Sequence, residues 1–105
     1  MQTYKKLFLA AAATLAFSAS AMAAETLKMG IEAAYPPFNN KDASGNVVGF
    51  DVDVGNALCA KMKVTCEIVT SDWDGIIPAL TAKKFDFLIS SMSITDERKQ
   101  AVDFT

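Results

Sequence analysis

The chain has 105 residues, 51% of them hydrophobic, with ten Lys and Arg against twelve Asp and Glu and a formal net charge of −2. That balance argues against nucleic acid as a partner, because counterion release needs clustered basic residues that are missing here. The chain also has no His, which removes the Ser/His and Cys/His catalytic pairs and the commonest zinc ligand, so no resident metal is expected.

Residues 1–23 carry Lys5 and Lys6, then an apolar run from Leu7 to Phe17, then small residues ending in Ala21-Met22-Ala23. This is the three-part pattern of a secretory signal peptide cleaved after Ala23. The apolar run is shorter than the ~20 residues a membrane span needs. No Cys near the cleavage site offers a lipid attachment, so no direct membrane anchor is expected. Cleavage leaves 82 residues, Ala24 to Thr105, with eight basic and twelve acidic side chains and a net charge of −4. Export also bears on Cys59 and Cys66, seven positions apart. An oxidising compartment favours a disulfide closing a short loop; two small buried hydrophobes are the alternative.

Thr26 to Ile31 alternates and predicts a first strand. Tyr35-Pro36-Pro37-Phe38 cannot be helical and reads as a loop leaving that strand. Asn39 to Asn46 is turn chemistry throughout, and Val47-Val48 is at most a brief strand. Asp51 is a plausible N-cap for a helix running to about Met62, with Val54, Leu58 and Met62 at helical spacing. Val64 to Thr70 predicts the second strand. Ser71 to Gly75 opens a second helix to about Lys83, buried through Ile76, Ile77 and Leu80, with Pro78 near its first turn. Phe85 to Ser90 predicts a third strand, and Ser91 to Gln100 a polar crossing into a final strand at Ala101 to Thr105. The order β-α-β-α-β predicts an α/β fold with a mainly parallel sheet.

Ligands of open parallel sheets bind beyond the carboxyl ends of the strands. Glu32 and Tyr35 follow the first strand, Asp72 and Trp73 the second, and Ser90 to Arg98 the third, so these sets should converge on one edge. Catalytic chemistry is thinly supported there. The carboxylate pairs Asp51/Asp53 and Asp72/Asp74 are two apart and do not face one another on a helix. No phosphate-binding loop or nucleophile elbow is present, and Ser90-Ser91-Met92-Ser93 has no His to activate it. Binding fits better. Arg98 offers a planar fork for a carboxylate, serine hydroxyls can complete the grip, Tyr35 and Trp73 can sandwich a side chain, and Glu32 and Asp51 can meet a distal cation. The plainer alternatives are a solvated charge run at Asp96-Glu97-Arg98-Lys99, core or rim aromatics, and Asp51, Asp72 or Asp74 as helix caps.

Four segments carry a resemblance: Gly30-Ile31-Glu32-Ala33-Ala34-Tyr35-Pro36-Pro37-Phe38, Gly49-Phe50-Asp51-Val52-Asp53, Asp72-Trp73-Asp74-Gly75-Ile76-Ile77-Pro78-Ala79-Leu80, and Ser93-Ile94-Thr95-Asp96-Glu97-Arg98. Together they resemble the polar amino acid-binding proteins of bacterial ABC importers, the solute-binding proteins of family 3, in the branch that binds lysine, arginine, ornithine or histidine. The resemblance implies a periplasmic-binding-protein-like clamshell closing on one cationic amino acid and presented to a membrane permease, working as a monomer in the periplasm without cofactor or catalysis. It places Arg98 and the Ser93 backbone on the ligand α-carboxylate, and Ser91 and Ser93 at its α-amino end. Tyr35 and Trp73 stack on its side chain, and Glu32, Asp51 and Ser90 meet its distal cation. The spacing of Cys59 and Cys66 matches a disulfide of that branch, while Glu32 stands where its members often have Asp. The resemblance also implies that residues 24–105 are an incomplete first lobe, which alone should bind weakly or not at all. An exported clamshell enzyme such as a cyclohexadienyl dehydratase-like lyase, or the sensing domain of a membrane receptor, are the other readings.

Overall fold

A strand flanked on both faces buries side chains in two directions, and β1 (Thr26–Ile31) does so in its C-terminal half, where Met29, Gly30 and Ile31 are buried while Thr26 and Lys28 stay exposed. The computed structural model describes residues 25–105, so the signal-peptide reading of residues 1–23 lies outside the described residues. β1 runs parallel to β5 (Thr65–Thr70), in register from Thr26 opposite Thr65 to Ile31 opposite Thr70, and parallel on its other side to β6 (Phe87–Leu88). The order β5-β1-β6 puts the first strand in the middle, as a doubly wound sheet requires.

α1 (Phe50–Met62) covers one face of this sheet and α2 (Trp73–Thr81) helps cover the other. Met29 and Ile31 are fully buried against Ala33 and Val52, with Val47, Phe87 and Ile89 around them. A second cluster joins Ile76 and Ala79 of α2 to Phe85, flanked by Val69, Leu80 and Leu88. Two glycines permit these close approaches. A Cβ on Gly30 would run into the Phe85 ring, and one on Gly55 into the Met29 thioether.

The structure departs from the sequence expectations at several points, among them the third strand, which is only Phe87–Leu88 against the expected Phe85 to Ser90. The stretch from Tyr35 to Asn46, read as loop and turn, supplies two strands, β2 (Ala34–Tyr35) and β3 (Asn39–Lys41), which form a separate antiparallel sheet with β4 (Val47–Val48), the brief strand expected there. α1 begins one residue earlier than expected, with Gly49 as its N-cap, so Asp51 lies inside the first turn. Gly49 has φ 124°, and a Cβ there would meet the Phe38 carbonyl oxygen at 2.5 Å. The buried stripe of α1 is Val52, Gly55 and Cys59, whereas Leu58 and Met62 are exposed. Pro78 sits in the middle of α2, where its missing N–H removes one rung of the helix. Finally, Ala101 to Thr105 form no strand, because none of them pairs with β6.

Two loops are fixed by local chemistry. Cys59 and Cys66 are joined as a disulfide that ties α1 to the start of β5. The amides of Ser44 and Asn46 both donate to Asp42 Oδ1 at 2.9 Å, closing the turn between β3 and β4. These donors, Asn46 foremost, hold the Asp42 carboxyl below its ordinary value of 3.8.

Reducing the disulfide frees a short loop and should lower stability by about 2 to 3 kcal/mol on the chain-entropy model. Paired thermal melts with and without reductant would read this, and coincident melts would contradict it. For Asp42 the folded state favours the charged form, so its stabilisation is present above 3.8 and is lost as pH falls through the lowered folded value. A carboxyl-detected NMR titration should give Asp42 a midpoint below 3.8, with the Ser44 and Asn46 amides shifting over the same range.

Candidate functional site

The carboxyl ends of β1, β5 and β6 open onto one edge, and the segments leaving them carry the polar residues. Glu32 follows β1 directly, and Tyr35 closes β2 a few residues later. Trp73 is the first residue of α2, one step after its N-cap Asp72, whose side chain makes no capping bond. Beyond β6 the chain turns sharply through Ser91, which holds a left-handed φ of 52°, a conformation that costs a non-glycine residue about 1 to 2 kcal/mol. It then enters α3 (Asp96–Lys99), capped by Thr95, whose Oγ1 accepts the Arg98 N–H at 3.1 Å.

That cap directs Arg98 backwards. Its Nη1 donates to the Ser93 carbonyl at 2.9 Å and to the Ser93 Oγ at 2.8 Å, and the guanidinium lies 5.5 Å from the centre of the Trp73 ring. The guanidinium is thus held in one orientation by a carbonyl, a hydroxyl and an aromatic face. The run Asp96-Glu97-Arg98-Lys99 is therefore more than a solvated charge run, since Arg98 is half-buried and turned to its own chain.

Glu32, Tyr35, Trp73, Ser91, Ser93 and Arg98 together line a cavity of about 310 Å³. Its charged groups are one carboxylate and one guanidinium. Its aromatic walls are Trp73 and the half-exposed Tyr35, whose ring lies 5.1 Å from that of Phe38. A small molecule carrying both charges is the complementary shape in charge, and the volume falls at the lower end of small-ligand sites. Larger spaces exist. One of about 480 Å³ beside β6 and residues 102–105 is lined chiefly by apolar groups, and one of about 680 Å³ lies along α2, but neither gathers a cation, an anion and two aromatics.

Two expected ligand contacts sit elsewhere. Ser90 and Asp51 are 1% and 4% exposed and lie behind the cavity wall. Ser90 Oγ accepts the Glu32 N–H at 2.9 Å. The Asp51 carboxylate accepts from Ser91 Oγ at 2.9 Å and from Asn39 Nδ2 at 2.8 Å. Asn39 is fully buried and was hidden among turn residues, with nothing in its immediate neighbours to separate it from Asn40. The pairing of β2 with β3 is what turns it inward. Among the described residues no cluster of His, Cys, Asp or Glu could hold a metal ion, and no helix is long and apolar enough to cross a membrane.

Comparison with known proteins gives a consistent picture. The family of bacterial extracellular solute-binding proteins, family 3, matches residues 27–105. The L-arginine-binding protein of Pseudomonas aeruginosa is 60% identical over 79 residues, which are 75% of this chain and 30% of that protein. The lysine/arginine/ornithine-binding periplasmic protein of Escherichia coli is 50% identical over 93 residues, 87% of this chain and 36% of that one. A solved periplasmic binding protein of Salmonella typhimurium, described for its high arginine specificity, matches with TM-score 0.76 and 43% identity over 78% of this chain and 37% of its own. The chain thus spans about a third of the length of the relatives it matches.

Removing the Ser90 hydroxyl would strand the Glu32 N–H and one Asn39 contact. Ser90→Ala is therefore expected to cost about 1 to 3 kcal/mol, the penalty of an unsatisfied buried donor. Chemical denaturation checks this, and an unchanged midpoint would show that water takes the place of the hydroxyl.

Proposed function

The chain belongs to the bacterial extracellular solute-binding proteins of family 3, and on that footing we propose that it supplies the first-lobe wall of a cleft binding one cationic amino acid for an ABC importer. The observation that carries the reading is the cavity itself, whose six lining residues include one fixed guanidinium, one carboxylate and two aromatics. The names of the relatives, each an arginine- or lysine/arginine/ornithine-binding protein, point the same way.

In this reading Arg98 grips the α-carboxylate. Its planar fork is pre-set by Ser93, so little rotamer entropy is lost when the ligand arrives. Ser91 and Ser93 meet the α-amino end, Tyr35 and Trp73 flank the side chain, and Glu32 faces its distal cation. Asp51 and Ser90 act behind the wall, by holding Ser91 and the backbone at Glu32. Closure of a second lobe, with residues 24–105 forming part of the first, completes the site and presents it to the permease. Catalysis is not part of the reading. Glu32 is the sole carboxylate of the cavity, so paired acid and base work has no second partner there. Export through the signal at residues 1–23, cleavage after Ala23, residence in the periplasm and a monomeric state complete the proposal.

Isothermal titration of the natural full-length protein with arginine, lysine, histidine and glutamate tests it. A cationic amino acid should bind tightest, and a preference for glutamate would sink the reading. Arg98→Lys keeps the charge and loses the fork, and should weaken the best ligand by about tenfold or more.

A further inference from the structure

A serine hydroxyl has one hydrogen to give, and in Ser91 that hydrogen is spent. Ser91 Oγ lies 2.9 Å from both oxygens of the Asp51 carboxylate, which when ionised can only accept. The lone pairs of Ser91 are then what it presents to the cavity that it lines. It can receive an N–H from a ligand and has nothing to offer an oxygen.

The carboxylate that sets this direction is itself held from behind. Asn39 is fully buried, accepts the Ala34 N–H on Oδ1 at 3.3 Å and donates from Nδ2 to Asp51 Oδ2 at 2.8 Å. Reversing its amide would set an oxygen against a carboxylate and an NH₂ against an N–H, so only one orientation satisfies both neighbours. Its second Nδ2 contact, to Ser90 Oγ at 3.4 Å, has the same sense. The two side-chain donors that reach Asp51, Asn39 Nδ2 and Ser91 Oγ, both give to its carboxylate, and no buried side-chain polar atom among the described residues lacks a partner.

We propose that Asp51, oriented by Asn39, acts through Ser91. It locks the Ser91 hydroxyl as an acceptor, and so gives the first lobe a negative counter-charge, one hydroxyl removed, for the ammonium group of the ligand. Asp51 and Asn39 are positioning residues in this scheme, and Ser91 is the group that touches the ligand. The assignment rests on the amino acid-binding reading above for the identity of the ligand, while the polarity of the hydroxyl stands on the geometry alone. Asp51→Asn is the informative change. Its amide oxygen still receives Asn39 and its NH₂ now donates to Ser91 Oγ, so the negative charge behind that hydroxyl is removed and one lone pair of Ser91 is taken from the ligand.

The test uses the natural full-length protein with two ligands, arginine and 5-guanidinopentanoate, which is arginine without its α-amino group. Asp51→Asn should weaken arginine by about tenfold and leave 5-guanidinopentanoate nearly unchanged. Ser91→Ala, which leaves Asp51 in place, should show the same selective loss. Equal weakening of both ligands by either variant would overturn the proposal and reduce the network to scaffolding. A third readout needs no ligand and no variant. In a neutron diffraction map of the unliganded protein the Ser91 hydroxyl deuterium should lie toward the Asp51 carboxylate, and a deuterium directed into the cavity would overturn the assignment. Because that readout is ligand-free, it still decides the polarity if titration of the unaltered protein rejects the amino acid-binding reading.

Discussion

A carboxylate taken out of water must be given donors, and the donors found by Asp51 come from parts of the chain that are far apart in sequence. Asn39 reaches it from the small antiparallel sheet and Ser91 from the turn after β6, 12 and 40 positions away. One buried charge in the first turn of α1 therefore holds together the antiparallel sheet, the helix and the turn that borders the cavity. A hydrogen bond to a charged group contributes more than a neutral one, about 1.5 to 3 kcal/mol each, and stranding the charge would be worse. Ser91 can hold its left-handed backbone because its side chain is anchored there.

The aromatic side of the cavity depends on the same junction. Phe38 packs its ring against Tyr35 at 5.1 Å and edge-on to Phe50 at 6.5 Å, where Phe50 is the first residue of α1. The bend that brings Phe38 there needs Gly49, since any Cβ at that position would strike the Phe38 carbonyl. Backbone crowding at Gly49 and charge satisfaction at Asp51 act two residues apart, and between them they fix how α1 meets the site. Arg98 is set independently, by Thr95, Ser93 and Trp73, so the anionic and cationic ends of the cavity are built from separate supports.

Much of the architecture was legible in the sequence because local signals and burial agree. Thr26 to Ile31 alternates and Thr65 to Thr70 is rich in β-branched residues, and both are strands in the expected places. Glu32, Tyr35, Trp73, Ser91, Ser93 and Arg98 could be grouped because strand ends of a parallel sheet share an edge. What failed were features set by long-range contact. Leu58 and Met62 have helical spacing, yet the buried stripe of α1 is chosen by Gly55 and Cys59, which allow Met29 to approach and Cys66 to be reached. Asn39 lay in a run of turn formers, and only its pairing in β3 makes it a buried donor. Phe104 and its neighbours have strand composition, but a strand exists only where a partner pairs with it.

The disulfide also has a practical side. Cys66 lies near the start of β5, four residues and so about 13 Å along the strand from the end that borders the cavity. Both cysteines of the sequence are consumed in it, leaving no free thiol. A single cysteine placed on the exposed rim near Tyr35 would then be the one free thiol among residues 25–105, and a fluorophore attached to it could report changes at the cavity without disturbing the bond at the opposite pole.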